Sequence, residues 1–392
     1  MIEWCEGGEH RTAQWHSENG ILPHKKIQIG DDTLTADEAY RLACAGTAIL
    51  YRGDFQNARQ LLQALVRRVE KPSKKSQRAD KKNKAVQVSV NPIDQFNQYR
   101  LSQSQRARIL GMLIIEINSD HTISLRRAPD VTKACQEVYG MQSDSYVISL
   151  RELLGVISAH EWRKKGVPIL LGNSQEIRIH PHYGVFSPVR GEYTDLVLRA
   201  PLPEALQSSS TAFDIGVGTG VLSVLLASRQ VKMIVATDQN DRAITCAEEN
   251  IARLGLASQI SVEKTDLFPQ GKASLIVCNP PWLPARPSST LEHAVYDPGS
   301  QMLKGFLAGL KAHLLPGGEG WLILSDLAEH LGLRSREELL SWIDEAGLRV
   351  IARLDTKPQH PKSLDLTNAL HAARSLEVTS LWRLGAGEIV SK

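Results

Sequence analysis

Cysteine is scarce in this chain, and the few present do not pair. The five stand at positions 5, 44, 135, 246 and 278 of 392 residues. No two form a CxxC, and an odd, scattered set is not a disulfide framework. The expectation is reduced thiols in a cytoplasmic protein. Long hydrophobic runs are also lacking. The longest, Ile109 to Ile115, stops at Glu116, far short of a membrane span. No basic segment leads into an apolar run at the N-terminus, so no signal peptide is expected. Charge of one sign is lacking too. A formal net charge of +3 and a pI near 8.5 do not by themselves announce a nucleic-acid binder. No tight His/Cys cluster appears; His180 and His182 flank Pro181 in what reads as a surface turn, so no metal is expected.

What is present is a globular composition, 42% hydrophobic and 23% charged, on a chain too long for one ordinary core. Residues 1–70 read as a helical region. Thr35 is a candidate N-cap with Glu38 three residues on. Phe55, Ala58, Leu61, Leu62, Leu65, Val66 and Val69 draw one stripe down a second helix. Tyr51-Arg52-Gly53 would turn between the two as a helical hairpin. Residues 71–85 read as a basic linker: seven of the fourteen from 71 to 84 are basic and one is acidic. Such a stretch is either a solvated tether or an arm for phosphates, with Arg67 and Arg68 extending it. Residues 86–175 look mixed α/β, with a strand at Val86–Val90 and a helix at Val147–Lys165.

From residue 176 to 392 the pattern is an α/β domain. Seven short strands are expected, at 212–215, 233–237, 259–262, 275–278, 321–324, 349–354 and 376–384. Helices at 220–229, 241–254, 300–314 and 335–346 fall between them. Alternation of this kind argues a parallel sheet with helices on both faces. The last connection, Asp355 to Arg374, lacks a clear helix, so the final strand should enter antiparallel.

The sharpest local signal is Phe213-Asp-Ile-Gly-Val-Gly-Thr-Gly220, between a strand and a helix. Gly216, Gly218 and Gly220 allow a tight turn and close approach of a ligand to backbone N–H groups. A dinucleotide fingerprint would want Gly where Val221 stands, which argues against NAD or FAD. Asp238 ends the next strand about 20 residues on, where an acid can take both hydroxyls of a ribose, although an Asp there can also simply cap a helix. After the fourth strand comes Asn279-Pro280-Pro281-Trp282. Neighbouring Cys278 reads either as a small buried residue or as a reactive thiol.

The glycine segment resembles motif I of class I methyltransferases, and the second resembles the (D/N)PP(F/Y/W) signature of methyltransferases acting on planar nitrogens. Together they resemble the small-domain methyltransferases over roughly residues 176–384. That group includes release-factor glutamine and ribosomal-RNA guanine-N2 and adenine-N6 enzymes. The resemblance implies a Rossmann-like seven-stranded sheet and S-adenosylmethionine as cofactor. It also implies Asp214 near the methionyl amino group, Asp266 at the adenine edge and Leu267 against the ring. Phe186 and Pro188, in His182-Tyr-Gly-Val-Phe-Ser-Pro188, match a Phe-x-Pro element that covers the cofactor; Phe186 fits a core position equally well.

Chemistry explains the second motif. An exocyclic NH2 is a poor nucleophile because its lone pair is delocalised. The Asn279 side-chain oxygen and the Pro280 carbonyl can accept its hydrogens, with two prolines restricting the backbone. Trp282 offers a flat face for a base or an amide. Glu292, His293, Tyr296 and Asp297 follow in a polar loop that could face substrate. The acceptor is expected to be a base amino group in nucleic acid, with structured RNA favoured. The alternatives are a protein glutamine, a small molecule, and an inactive cofactor-binding module that contacts RNA. Trp282 stands where the glutamine enzymes usually carry Tyr, and the N-terminal half is larger than theirs.

Overall fold

Two stretches of the chain fold on separate cores. The computed structural model describes residues 1–70, 91–172, 174–189, 191–287, 292, 294–358 and 369–387. The basic segment, the strand expected at 86–90, and His293 lie outside the described residues. The chain divides into two compact units, Met1–Glu161 and Trp162–Lys392.

The first unit corrects the helical reading of residues 1–70. Gly7-Gly8, both at positive φ, turn a hairpin between β1 (Ile2–Glu6) and β2 (Glu9–Trp15). β3 (Ile27–Gly30), α1 (Ala36–Cys44), β4 (Ala48–Tyr51) and α2 (Phe55–Glu70) follow. The expected helical hairpin is therefore interrupted by a strand. β4 is four residues long and buried throughout, so it carries no alternation to betray it. After α3 (Pro92–Leu110) come β5 (Leu113–Ile117), α4 (Thr132–Tyr139), β6 (Tyr146–Ser149) and α5 (Leu150–Lys165). The six strands form one sheet in the order β1-β2-β6-β5-β4-β3. Ile2, Trp4, Leu50, Ile109, Ile114 and Val147 pack its core.

The second unit opens with an antiparallel pair, β7 (Val167–Leu170) and β8 (Glu176–Ile179), then α6 (Glu192–Arg199) and α7 (Ala205–Ser208). The main sheet comprises β9 (Thr211–Ile215), β10 (Met233–Asp238), β11 (Ile260–Lys264), β12 (Ala273–Cys278), β13 (Leu314–Ser325), β14 (Leu348–Thr356) and β15 (Thr379–Ala386). Its order is β11-β10-β9-β12-β13-β15-β14. All pairs are parallel except those of β15, which runs antiparallel to both β13 and β14, as the sequence implied. On one face α6, α8 (Val221–Ser228) and α9 (Asp241–Arg253) bury Leu196, Leu225 and Ile251. On the other, α10 (Gln301–His313) and α12 (Arg336–Glu345) bury Phe306, Leu310 and Leu339. The short α11 (Leu327–His330) follows β13, and α13 (His371–Leu376) precedes β15. This is the Rossmann-like arrangement with helices on both faces.

Register places the site. Ile215 of β9 lies beside Thr237 of β10 and beside Cys278 of β12. Three chains therefore leave the carboxyl edge at one level: at Gly216, Asp238 and Asn279. β9 sits where the strand order reverses, the usual ligand crevice of such sheets.

Candidate functional site

The glycine loop is tied to the neighbouring strand before any ligand arrives. The N–H groups of Gly216 and Val217 donate to the Thr237 carbonyl at 2.9 and 2.8 Å. Gly218 N–H donates to Asp238 Oδ2 at 3.2 Å. Gly216 sits at φ 80°, which strains any residue with a Cβ, and a Cβ there would also have to push the Met302 methyl of α10 aside from 2.7 Å. Asp238 is half-buried, and its Oδ1 accepts from Asn240 N–H at 3.0 Å. The helix cap itself is Asn240, whose side chain accepts from Arg242 N–H at 2.9 Å, so Asp238 is a brace for the glycine loop rather than a cap.

Asp214 is fully buried under that loop. Ser223 of α8 donates its N–H and its hydroxyl to Oδ2 at 2.9 and 2.6 Å. Oδ1 has no partner. Burial pushes this carboxyl up to about 7, against the Ser223 bonds and with some help from the Asp238 charge. A buried acid with one idle oxygen fits a cationic group brought to it. Glycine loop, Asp238 and Asp214 together fit S-adenosylmethionine: a carboxyl for its amino group, another for its ribose, and a loop closed to side chains at Gly216.

Asp266 is exposed, and its Oδ1 accepts from the Gln239 side-chain amide. Leu267 sits at φ 59°, an uncommon conformation for a residue with a γ-branched side chain. Its carbonyl accepts from the Thr237 hydroxyl, while its side chain packs toward Gly305 of α10. Phe186 is 38% exposed, so it is not a core residue. Pro188 is buried. Val185, from the same segment, packs on Ala243 and Cys246 of α9.

At the second motif Pro280 is buried, and Asn279, Pro281 and Trp282 are half-buried. Trp282 is held in place at its edge and along its ring. Its indole Nε1–H donates to Asn279 Oδ1 at 2.9 Å, and its ring packs on both apolar layers of the domain. An indole N–H can only donate, so it also fixes which amide atom of Asn279 is the oxygen. One lone pair of that oxygen remains for another donor. Cys278 is fully buried, and burial holds its thiol protonated well above the usual range, which removes the reactive-thiol reading.

Of the polar loop residues, Asp297 is a helix cap. It is 6% exposed, and its carboxylate accepts from Met302 and Leu303 N–H at the start of α10. Its own N–H donates to the Leu283 carbonyl at 2.8 Å, tying the loop's end to the residue after Trp282. The Glu292 carbonyl accepts from the N–H groups of Val295 and Tyr296. No group of three or more His, Cys, Asp or Glu among the described residues is placed to hold a metal. No helix among them is long and apolar enough to cross a membrane.

Two residues of this site escaped the sequence reading. Asn250, 1% exposed on α9, donates to the carbonyls of Thr219 and His180 at 3.1 and 3.2 Å and accepts from His180 N–H at 2.8 Å. It clamps the glycine loop to the segment carrying Phe186 and Pro188. The signal was a polar residue on the buried stripe Ala243, Cys246, Ala247, Ile251. Ser223 was visible in the same way, as a hydroxyl within the apolar run of α8.

Comparison with known proteins bears on this geometry. Residues 176–335 match the Methyltransferase small domain family. A release factor glutamine methyltransferase from Cereibacter sphaeroides is 32% identical over 196 residues, covering 46% of this chain and 64% of that protein. A tRNA1(Val) (adenine(37)-N6)-methyltransferase from Parabacteroides distasonis is 31% identical over 182 residues, covering 42% of this chain and 77% of its own length. Ribosomal RNA small subunit methyltransferase C from Alcanivorax borkumensis is 30% identical over 166 residues, 42% of this chain and 44% of that protein. The match therefore spans a little under two thirds of the first and under half of the third.

Proposed function

The chain belongs to the small-domain methyltransferases that use S-adenosylmethionine, and from that premise we propose that it methylates a planar exocyclic nitrogen, the amino group of a base in structured RNA. Asp214 and Asp238 hold the cofactor, with the glycine loop alongside it. When bound, it supplies a methyl group on a positively charged sulfur. Asn279 and the Pro280 carbonyl accept the two amino hydrogens and favour a pyramidal nitrogen whose lone pair is free to attack. The N–CH3 bond forms as the sulfur–methyl bond breaks. The nitrogen, now cationic, then releases a proton, so no general base is needed beforehand.

The observation that carries this reading is the Asn279 oxygen, oriented by Trp282 at the same level of the sheet edge as the glycine loop. RNA rather than protein is favoured by the basic segment at 71–84 and by a first unit with its own sheet and core, suited to holding a macromolecule. The glutamine reading is favoured by the likeness to the release factor enzyme. One experiment separates them. Extract from cells lacking the protein is incubated with the protein and methyl-labelled cofactor. The label should be removed by ribonuclease and survive protease. Label that survives ribonuclease and disappears with protease promotes the glutamine instead.

A further inference from the structure

Arg334 lies between α11 and α12, on the chain that leaves β13 at the same carboxyl edge. It is 3% exposed, and its Nε and Nη2 have no hydrogen-bond partner. An unpaired guanidinium in such a place costs the fold stability, so its persistence calls for a reason. The acids around it are already engaged. Glu329 takes Arg336 Nε at 2.8 and 3.0 Å. Glu338 closes the capping box of α12 on Ser335 N–H. Asp297 spends both oxygens on α10. Glu329, Glu338 and, more weakly, Asp297 are close enough for their charges to bear on the guanidinium, and the Asp297 backbone is bonded to Leu283, the residue after Trp282. His330 in the same corner is already paired, its Nε2 3.4 Å from Asp326 Oδ2.

We propose that Arg334 is a specificity-determining residue of the acceptor site, its guanidinium binding the phosphate next to the methylated nucleotide. The inference rests on the RNA reading. A guanidinium offers a planar fork of donors matched to phosphate oxygens. Held in place by packing, it loses little freedom on binding, and a low-dielectric surround strengthens the contact. A carboxamide acceptor on a protein brings no such anion. The unpaired cation therefore discriminates between the two acceptor classes as well as anchoring the favoured one.

The test uses the full chain, total small RNA from cells lacking the protein as probe, and two variants, Arg334→Met and Arg334→Lys. Wild type should bind this RNA with a salt dependence typical of phosphate contacts. Arg334→Met should bind it roughly tenfold or more weakly, with a salt slope smaller by about one. Arg334→Lys should recover part of the loss. S-adenosylhomocysteine binding should be unchanged in both. The melting temperature of Arg334→Met should be equal to or above that of wild type, because an unpaired buried charge has been replaced by an apolar side chain of similar length. Wild-type RNA binding with an unchanged slope in Arg334→Met overturns the assignment and leaves the RNA reading standing. A fall in melting temperature with RNA binding intact also overturns it, and makes Arg334 a structural residue satisfied by water. A wild-type protein that neither binds nor labels RNA overturns both.

Discussion

Asp32, in the first unit, and Asp214, in the second, are carboxylates treated in opposite ways. Asp32 Oδ1 accepts from Tyr51 hydroxyl, Asp54 N–H and Asn57 amide at 2.8, 2.9 and 3.0 Å, and Oδ2 from Arg126 at 2.8 Å. These donors, the Asp54 N–H foremost, hold its carboxyl down to about 2. Asp214 has one serine, one idle oxygen and no cation, and burial pushes it up to about 7. The arginines repeat the contrast. Arg52 spends Nε and Nη2 on Glu6 and Nη1 on Glu116, each within 2.8 Å, whereas two nitrogens of Arg334 have nothing. In the first unit these charges are used up in joining strand ends. In the second, the groups left wanting sit at the carboxyl edge of the sheet, where a ligand can complete them.

The largest effect that could break this contrast is on chemistry. Asn279→Ala removes the oriented acceptor, and by analogy with losing one pre-positioned polar group it should cost roughly 10²-fold or more in turnover. S-adenosylhomocysteine affinity should stay as in wild type. Unchanged turnover puts the reacting centre elsewhere.

Asp214→Asn comes next. Because the folded carboxyl is raised from its unfolded value, the stability Asp214 contributes is greatest below about pH 4 and falls as pH rises toward about 7, beyond which it is flat. The asparagine variant lacks that fall, so at pH 8 it should be the more stable by on the order of 4 kcal/mol, and near wild type at pH 4. Cofactor binding should answer in the other direction. Below pH 7 a cationic amino group must drive a proton off Asp214, so wild-type affinity should rise toward pH 7 and binding should release a proton, measurable by titration calorimetry in buffers of different ionisation enthalpy. No proton release in wild type would separate Asp214 from the amino group. A smaller loss, about tenfold in cofactor affinity, is expected of Asp238→Ala, which also frees the Gly218 and Asn240 N–H groups. Equal affinity would leave Asp238 a brace for the glycine loop and nothing more.

Legibility followed the same division. In the second unit all seven strands of the main sheet and the antiparallel entry of β15 could be read, though not the β7–β8 pair, because buried parallel strands alternating with amphipathic helices leave a regular pattern. The glycine loop and the Asn-Pro-Pro-Trp turn were readable because backbone restriction is written in residue type. The Trp282 bond to Asn279 was not, since it depends on a rotamer three residues away. Nor was Arg334, since lacking a partner is a property of the surroundings rather than of a motif. In the first unit the strands are short, one is buried throughout, and parallel partners such as β4 and β5 are separated by α2, α3 and a long stretch of sequence. The Gly7-Gly8 turn was a signal available and passed over.

The smallest expected effect tests the first half of the contrast. Asp32 is held below its ordinary value, so the stability it contributes is present above about pH 4 and is lost as pH falls toward about 2, the reverse of Asp214. Asp32→Asn keeps an oxygen that can still accept from Tyr51 and from Asp54 N–H, but it takes the charge from opposite Arg126. The site is open to solvent, so screening keeps the change modest. The acid limb of stability should flatten locally, around the ends of β3 and β4 and the start of α2, which these bonds join. Hydrogen exchange of the full chain between pH 3 and 5, followed in peptides spanning residues 48–57, reads this without any ligand. Protection in wild type should decline across that interval and should decline less in the variant. An identical decline in both would mean that Asp32 does not carry the acid sensitivity of this corner, and that its four donors only fill space around an ordinary surface acid.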